Sequence, residues 1–327
     1  MFNLEQFPKI DAHFHSTYYD LVYAEIASKY NLRCININTD ANVFPSVEEQ
    51  KNIALDYMHR NKHLFSFIAS FEMDGWELQG WYKGVFDQIQ NAIAQGAVGV
   101  KIWKNIGMEL LKSDGSYLMV DVAFFEPLFT FLIKNHIPLL AHLGEPKNCW
   151  LPLELMTSNR NRQYYTNNPQ YHAFLNPSIP SYEKQIEARD HVLEKYPNLV
   201  FVGAHLGSLE WSYKELSKRF DKYPNFNVDL SSRLGHLQIQ SVKDYEGVRN
   251  FFIQYADRIL YGTDTYNNPV KLENAILNDW DFLATNHPCT SQEVSDTFTG
   301  IALPEDILYK IYFDNAKKIY SLLNFED

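Results

Sequence analysis

The sequence predicts an α/β chain folded as a single (β/α)8 barrel, and three observations carry that prediction. Eight short runs rich in β-branched and aromatic residues alternate with eight longer amphipathic stretches. Most of the runs are nearly continuous in apolar residues, as in Val98-Gly99-Val100-Lys101-Ile102 and Leu199-Val200-Phe201-Val202, the pattern of parallel strands covered on both faces. The 327 residues are 46% hydrophobic and include 22 Phe and 21 Tyr, enough for one core of the size that such a barrel, typically about 250 residues, requires.

Taken in order, residues 9–15 form the first expected strand and 18–30 the first helix. The later pairs are 33–39 with 46–62, 64–71 with 81–95, 97–104 with 122–135, 137–144 with 181–196, 198–207 with 209–223, 225–233 with 244–256, and 258–265 with 269–284. An open doubly wound sheet is the competing arrangement, but no Gly-x-Gly-x-x-Gly follows the first strand, so its dinucleotide-binding version loses support. The chain exceeds a minimal barrel at 105–121, 145–180 and 286–327. The first two segments are long loops after strands four and five, on the side where barrel active sites form, and the third reads as a C-terminal helical extension. Residues 1–327 therefore read as one domain, with the barrel over about 9–285.

Four histidines and an aspartate stand at the carboxyl ends of these strands: His13 and His15 on the first, His142 on the fifth, His205 on the sixth and Asp264 on the eighth. Lys101 lies late on the fourth. Strand side chains alternate, so His13 and His15 share a face, and two imidazoles at one strand end can chelate a single metal. By the same rule Gly99 faces inward with Lys101, Gly203 with His205 and Gly262 with Asp264. Val98, Val100, Val202, Tyr261 and Thr263 are then expected to face the helices. Satisfied core histidines are the competing account, and the crowding of four at strand ends argues for a metal site.

The ordered set Asp11-Ala12-His13-Phe14-His15, Gly99-Val100-Lys101, Ala141-His142, Gly203-Ala204-His205-Leu206-Gly207 and Leu260-Tyr261-Gly262-Thr263-Asp264 resembles the amidohydrolase superfamily. Leu303-Pro304-Glu305-Asp306-Ile307-Leu308 with Asn315-Ala316 resembles the closing segment of its amidohydrolase-2 branch of barrel hydrolases and decarboxylases. The resemblance implies metal-ligand roles for His13, His15, His142 and Asp264. It makes His205 either a ligand of a second metal or a residue that orients the attacking water, and Asp264 the acceptor of that water's proton. The cofactor it implies is one divalent metal, Zn by preference with Mn, Fe, Co or Ni open, which lowers the pKa of bound water towards about 7. Lys101 has three readings: a carbamylated bridge to a second metal, as in binuclear members of the superfamily, a contact to a substrate anion, or a structural ion pair. The implied activity is hydrolysis of an ester, lactone or amide bond in a small polar or anionic organic substrate. A metal-dependent non-oxidative decarboxylase of a small carboxylated substrate and a non-catalytic ligand-binding barrel are the alternatives.

Residues just beyond the strand ends are expected to read that substrate: Arg233, Glu145, Trp103, Arg160 and Arg162, with Lys104, Tyr164 and Tyr165 beside them. The polar run 159–168 reads as either a lid or a surface loop. Cys149 lies in the same loop without a recognisable base, so no nucleophilic role is expected.

Twenty-nine Lys and Arg against 40 Asp and Glu leave a formal charge of −11, which argues against a nucleic-acid partner. The apolar stretches, such as 137–143, are too short to span a bilayer. Cys34, Cys149 and Cys289 are too scattered for a disulfide framework, and Pro177 voids the single glycosylation match at Asn176. The expectation is a cytoplasmic enzyme with a small-molecule substrate, no nucleic-acid or membrane partner, and a homo-oligomeric state left open.

Overall fold

A computed structural model describes residues 3–295, 297–323 and 325; the outermost positions of the expected domain, 1–2 and 326–327, lie outside the described residues. Among the described residues, strands β1 (Lys9–His15), β2 (Leu32–Ile37), β3 (Phe65–Ala69), β4 (Ala97–Ile102), β5 (Leu139–Ala141), β6 (Phe201–Gly203), β7 (Phe226–Asp229), β8 (Ile259–Leu260) and β9 (Thr265–Tyr266) form one sheet in the order 8-7-6-5-4-3-2-1-9. All the pairings are parallel. β8 and β9 are the two ends of the single strand expected at 258–265. Ile259-Leu260 pairs with β7, Thr265-Tyr266 pairs with β1, and between them the Ala12 N–H donates to Tyr261 O at 3.0 Å. The sheet closes on itself, and the chain is the predicted (β/α)8 TIM barrel.

Helices Leu21–Lys29, Val47–Arg60, Trp81–Ala94, Glu126–Lys134, Tyr182–Lys195, Tyr213–Lys222, Tyr245–Gln254 and Pro269–Ala284 follow the successive strands. Most of their starts are written locally. Asp20, Ser46, Ser181, Ser212, Asp244 and Asn268 each accept from a first-turn N–H, and Ser46 with Glu49 completes a capping box. Helix Leu234–Lys243 lies where the sequence suggests only a connection, and it starts at Arg233 without a side-chain cap. The tail holds a small hairpin, Pro288–Cys289 with Phe298–Thr299, before its helical segments Glu305–Tyr309, Lys310–Asp314 and Asn315–Ile319. Among the described residues no helix is long and apolar enough to cross a membrane, and the three cysteines are free and buried.

Ile10, Ala12, Ile35, Ile37, Ile68, Val98, Leu140, Val202 and Leu260 form one cluster with Ala316 and Tyr320 of the tail. Apolar side chains from so many strands can meet only inside the ring, so this cluster is the barrel interior. The larger cluster, with Phe14, Val100, Ile102, Phe201, Val228 and Tyr261, lies between strands and helices. The expected alternation therefore fails on three strands. Val98 and Val202 were expected among the helices and lie in the interior. On β4 a register irregularity opposite Phe67 and Ala69 inserts one extra residue, which lets both Val98 and Gly99 face inward. On β6 it is Gly203 that faces outward, since a Cβ there would sit 2.8 Å from the Phe226 ring. A similar irregularity between Asp11 and Phe14 re-phases β1, so that His13 reaches the interior although Ala12 already does.

Candidate metal centre

Every histidine expected at a strand end is buried at one end of the barrel, with the buried Lys101 and the partly exposed Asp264 beside them. His13 and His15 each bring Nε2 to Asp264 Oδ1, at 3.6 and 3.5 Å, and these three residues form a group able to hold a metal ion. The His205 ring lies 4.8 Å from that of His13 and 4.3 Å from that of His142, centroid to centroid. Lys101 Nζ is 3.3 Å from His13 Nε2.

The opposite ring nitrogens are tied down. His13 Nδ1 donates to Asp229 Oδ2 at 2.8 Å, His15 Nδ1 to Ile37 O at 2.9 Å, and His205 Nδ1 to Ser231 O at 2.9 Å. Acceptors at Nδ1 put the proton there and leave the Nε2 lone pair free, which is the tautomer that a metal ligand needs. His142 Nε2 is buried without any partner among the described residues. Such an orphaned atom beside a carboxylate and neutral imidazoles is chemically matched to a divalent cation. Burial pushes His15 and His142 well below the usual imidazole range and His205 to about 3, so all three are neutral at pH 7. Burial alone would raise the Asp264 carboxyl, but the His205, His13 and His15 rings and the Ser232 hydroxyl, 2.7 Å from Oδ2, hold it far below the carboxylate range. Burial also lowers Lys101 to about 8 against the opposing pull of Asp229 and Asp264, which leaves the amine mostly protonated at pH 7.

Backbone strain concentrates at the same spot. His205, Ser232 and Asp264 have φ of 59°, 54° and 58°, in the left-handed region that ordinary residues avoid. His205 thus reaches the centre by a left-handed turn after β6 has ended, not by the alternation that Gly203 was expected to share with it. The His205 N–H is held by Asp229 Oδ1 at 2.8 Å, so one carboxylate orients both His13 and His205.

Asp229, Ser231 and Ser232 are the residues that the sequence reading missed. Their signal was position: they sit at the end of the expected seventh strand, where only Arg233 was singled out. The more distant candidates divide. Glu145 is buried and pairs with Lys104, which lies over the Trp103 ring. Arg233 has a buried Nε without a partner among the described residues. Arg162 instead donates to Leu153 O, Met156 O and Asn159 Oδ1, which occupies its guanidinium within its own loop. Arg160 is exposed, with its backbone N–H on Glu293. The run expected as a lid or loop is a helix, Asn159–Asn167, capped by Ser158. Burial raises the Cys149 thiol to about 11, which agrees with its having no nucleophilic role.

The family model described as amidohydrolase, of the amidohydrolase-2 branch, matches residues 10–322. The chain belongs to the amidohydrolase family. No match was found among curated protein sequences. Among solved structures, the chain is similar to an uncharacterised TIM-barrel protein from Bordetella bronchiseptica, at 16% identity and TM-score 0.58 over 96% of this chain and 99% of that one. It is also similar to 2,6-dihydroxybenzoate decarboxylase from Rhizobium, at 15% identity and TM-score 0.57 over 97% and 99% of the two chains. A third is 5-carboxyvanillate decarboxylase from Novosphingobium aromaticivorans, complexed with manganese, at 13% identity and TM-score 0.52 over 97% of each chain. At these identities the likeness speaks for the barrel fold. Membership of the family makes this amidohydrolase barrel an enzyme of a metal-dependent class.

Proposed function

We propose that this amidohydrolase is a hydrolase that cleaves an ester, lactone or amide bond of a small polar or anionic organic substrate. The observation that carries the reading is the approach of His13 Nε2 and His15 Nε2 to Asp264 Oδ1, beside the unpartnered His142 Nε2 and the His205 ring. His13, His15, His142 and Asp264 would hold a single divalent cation, Zn²⁺ in this reading, and when bound it would supply Lewis acidity for a carbonyl group and for water. Asp264, braced at Oδ2 by the Ser232 hydroxyl, takes the proton of the attacking water and returns it to the leaving group. His205, fixed through Nδ1, orients that water with its other nitrogen. Arg233 and Lys104 supply the positive wall for an anionic group of the substrate, with Glu145 holding Lys104 in place. Lys101 is a contact to the substrate anion in the mononuclear form and becomes a bridge only if carbamylated.

A second reading keeps the site and changes the reaction to non-oxidative decarboxylation. The buried, unpartnered Nε of Arg233 favours it, because a cation so placed suits a carboxylate, and two of the similar structures are decarboxylases. Zn-loaded protein offered a panel of esters, lactones, amides and aryl carboxylates distinguishes the two by acid release against CO2 release. His13→Ala and Asp264→Asn should abolish either activity. Full turnover by these variants on a confirmed substrate would take His13 and Asp264 out of the catalytic machinery, and a loss of thermal stability with turnover intact would leave them a structural role. Metal content per chain, with the intact mass at Lys101, decides between one metal and two.

A further inference from the structure

A groove on the outside of the barrel carries an inference that does not depend on the reaction. It opens between helices Val47–Arg60 and Trp81–Ala94 over the ends of β2 and β3, with a volume of about 420 Å³. The space exists because Ala69 and Ala92 line it with short side chains. Asn38, which follows β2, also lines it at 1% exposure, and neither Nδ2 nor Oδ1 of its side chain has a partner among the described residues. Leaving both ends of a buried amide unanswered is costly, and native structures rarely do so without a ligand or an ordered water. Glu48, Glu72 and Asp87 stand exposed around the groove, against Lys51, which already pairs with Glu48 at 2.7 Å.

We propose that this groove binds a small polar organic cation, whose ammonium group meets Glu72 and Asp87 and whose hydroxyl or amide groups pair with the Asn38 side chain. The volume is that of a small-molecule site, and the excess of carboxylates selects positive charge. A bare divalent ion fits less well, since it demands six or more oxygens closing around it, whereas these carboxylates are spread along an open rim. The groove is also tied to the metal centre. Ile37 O, the carbonyl directly before Asn38, accepts from His15 Nδ1 at 2.9 Å, and Ser70 Oγ, another lining residue, donates to Lys101 O at 3.1 Å. An occupant paired with Asn38 therefore lies one residue from the carbonyl that orients His15.

Glucosamine, glucose and glucuronate share one ring shape and differ in charge, so they serve as probes. In an NMR titration of the metal-loaded full chain, glucosamine should saturably shift the amide signals of residues 38, 69–72 and 87–92, glucose weakly, and glucuronate not at all. Asn38→Leu keeps the side-chain size, removes the unpaired amide, and should weaken glucosamine binding about tenfold without lowering Tm. Asp87→Asn, on an exposed helix face that tolerates the change, should weaken it several-fold. The proposal is overturned if glucosamine produces no saturable shift, if the three sugars act alike, if the shifts fall at the metal centre instead, or if Asp87→Asn binds glucosamine as tightly as the unaltered chain.

Discussion

Replacing Asp229 by Asn tests the logic of the metal centre at a residue that is not itself a proposed ligand. The carboxylate accepts from His13 Nδ1 at 2.8 Å through Oδ2 and from the His205 N–H at 2.8 Å through Oδ1. Asparagine keeps the second bond, so the strained turn at His205 survives. At the first it presents an amide NH2, which can only donate, and this moves the His13 proton to Nε2, the nitrogen facing Asp264 and His15. A ligand in the wrong tautomer must move its proton from Nε2 back to Nδ1 before it can bind. Loss of the oxygen that orients such a histidine typically weakens metal affinity about 10- to 100-fold, or about 1.4 to 2.7 kcal/mol. The assay is competition for Zn²⁺ against a chromophoric chelator, together with the Tm of the metal-free protein to show that the fold is intact. Zinc affinity within about twofold of the unaltered chain, in a folded variant, refutes the orienting role.

Two further outcomes concern the frame around the site. Burial raises the Glu210 carboxyl to about 7, so the folded chain retains its proton while the unfolded chain loses it near the usual range. Stability should therefore fall as pH rises from about 4.5 through 7, by at most about 3 kcal/mol. Glu210→Gln should flatten that part of the Tm-against-pH curve and leave the variant the more stable at pH 8; an unchanged slope removes Glu210 from the account. Gly207 has φ +58°, and a Cβ there would lie 2.6 Å from the Phe226 ring and 3.2 Å from the Arg189 guanidinium. Gly207→Ala should cost about 2 to 4 kcal/mol in denaturant unfolding, from left-handed strain plus overpacking. A loss below about 1 kcal/mol would mean that the β6 turn relaxes easily.

Much of the barrel was legible because its signals are local. Nearly continuous apolar runs mark strands buried on both faces, and Ser or Asp caps such as Ser46, Ser181 and Ser212 mark where helices begin. Helix Leu234–Lys243 escaped notice because no cap announces it and it directly follows an expected strand end. His13, His15, His142, His205, Asp264 and Lys101 were legible as a group from their places at strand ends. The role of Asp229 was not, because it is defined by a contact with His13, 216 positions away in the chain.

Composition and periodicity were enough to specify eight strand–helix units, and with them the end of the ring at which the ionisable residues gather. Which way each residue faces was settled only once the ring had closed. Register irregularities on β1 and β4 re-phase the alternation at His13 and Val98, and left-handed turns carry His205 and Asp264 inward after their strands have ended. Both features store local strain that no short stretch of chain would adopt alone. Hydrogen bonds from distant residues hold them, with Asp229 gripping the His205 N–H and the Asp264 N–H donating to His13 O at 2.7 Å, so the geometry of the centre belongs to the assembled barrel.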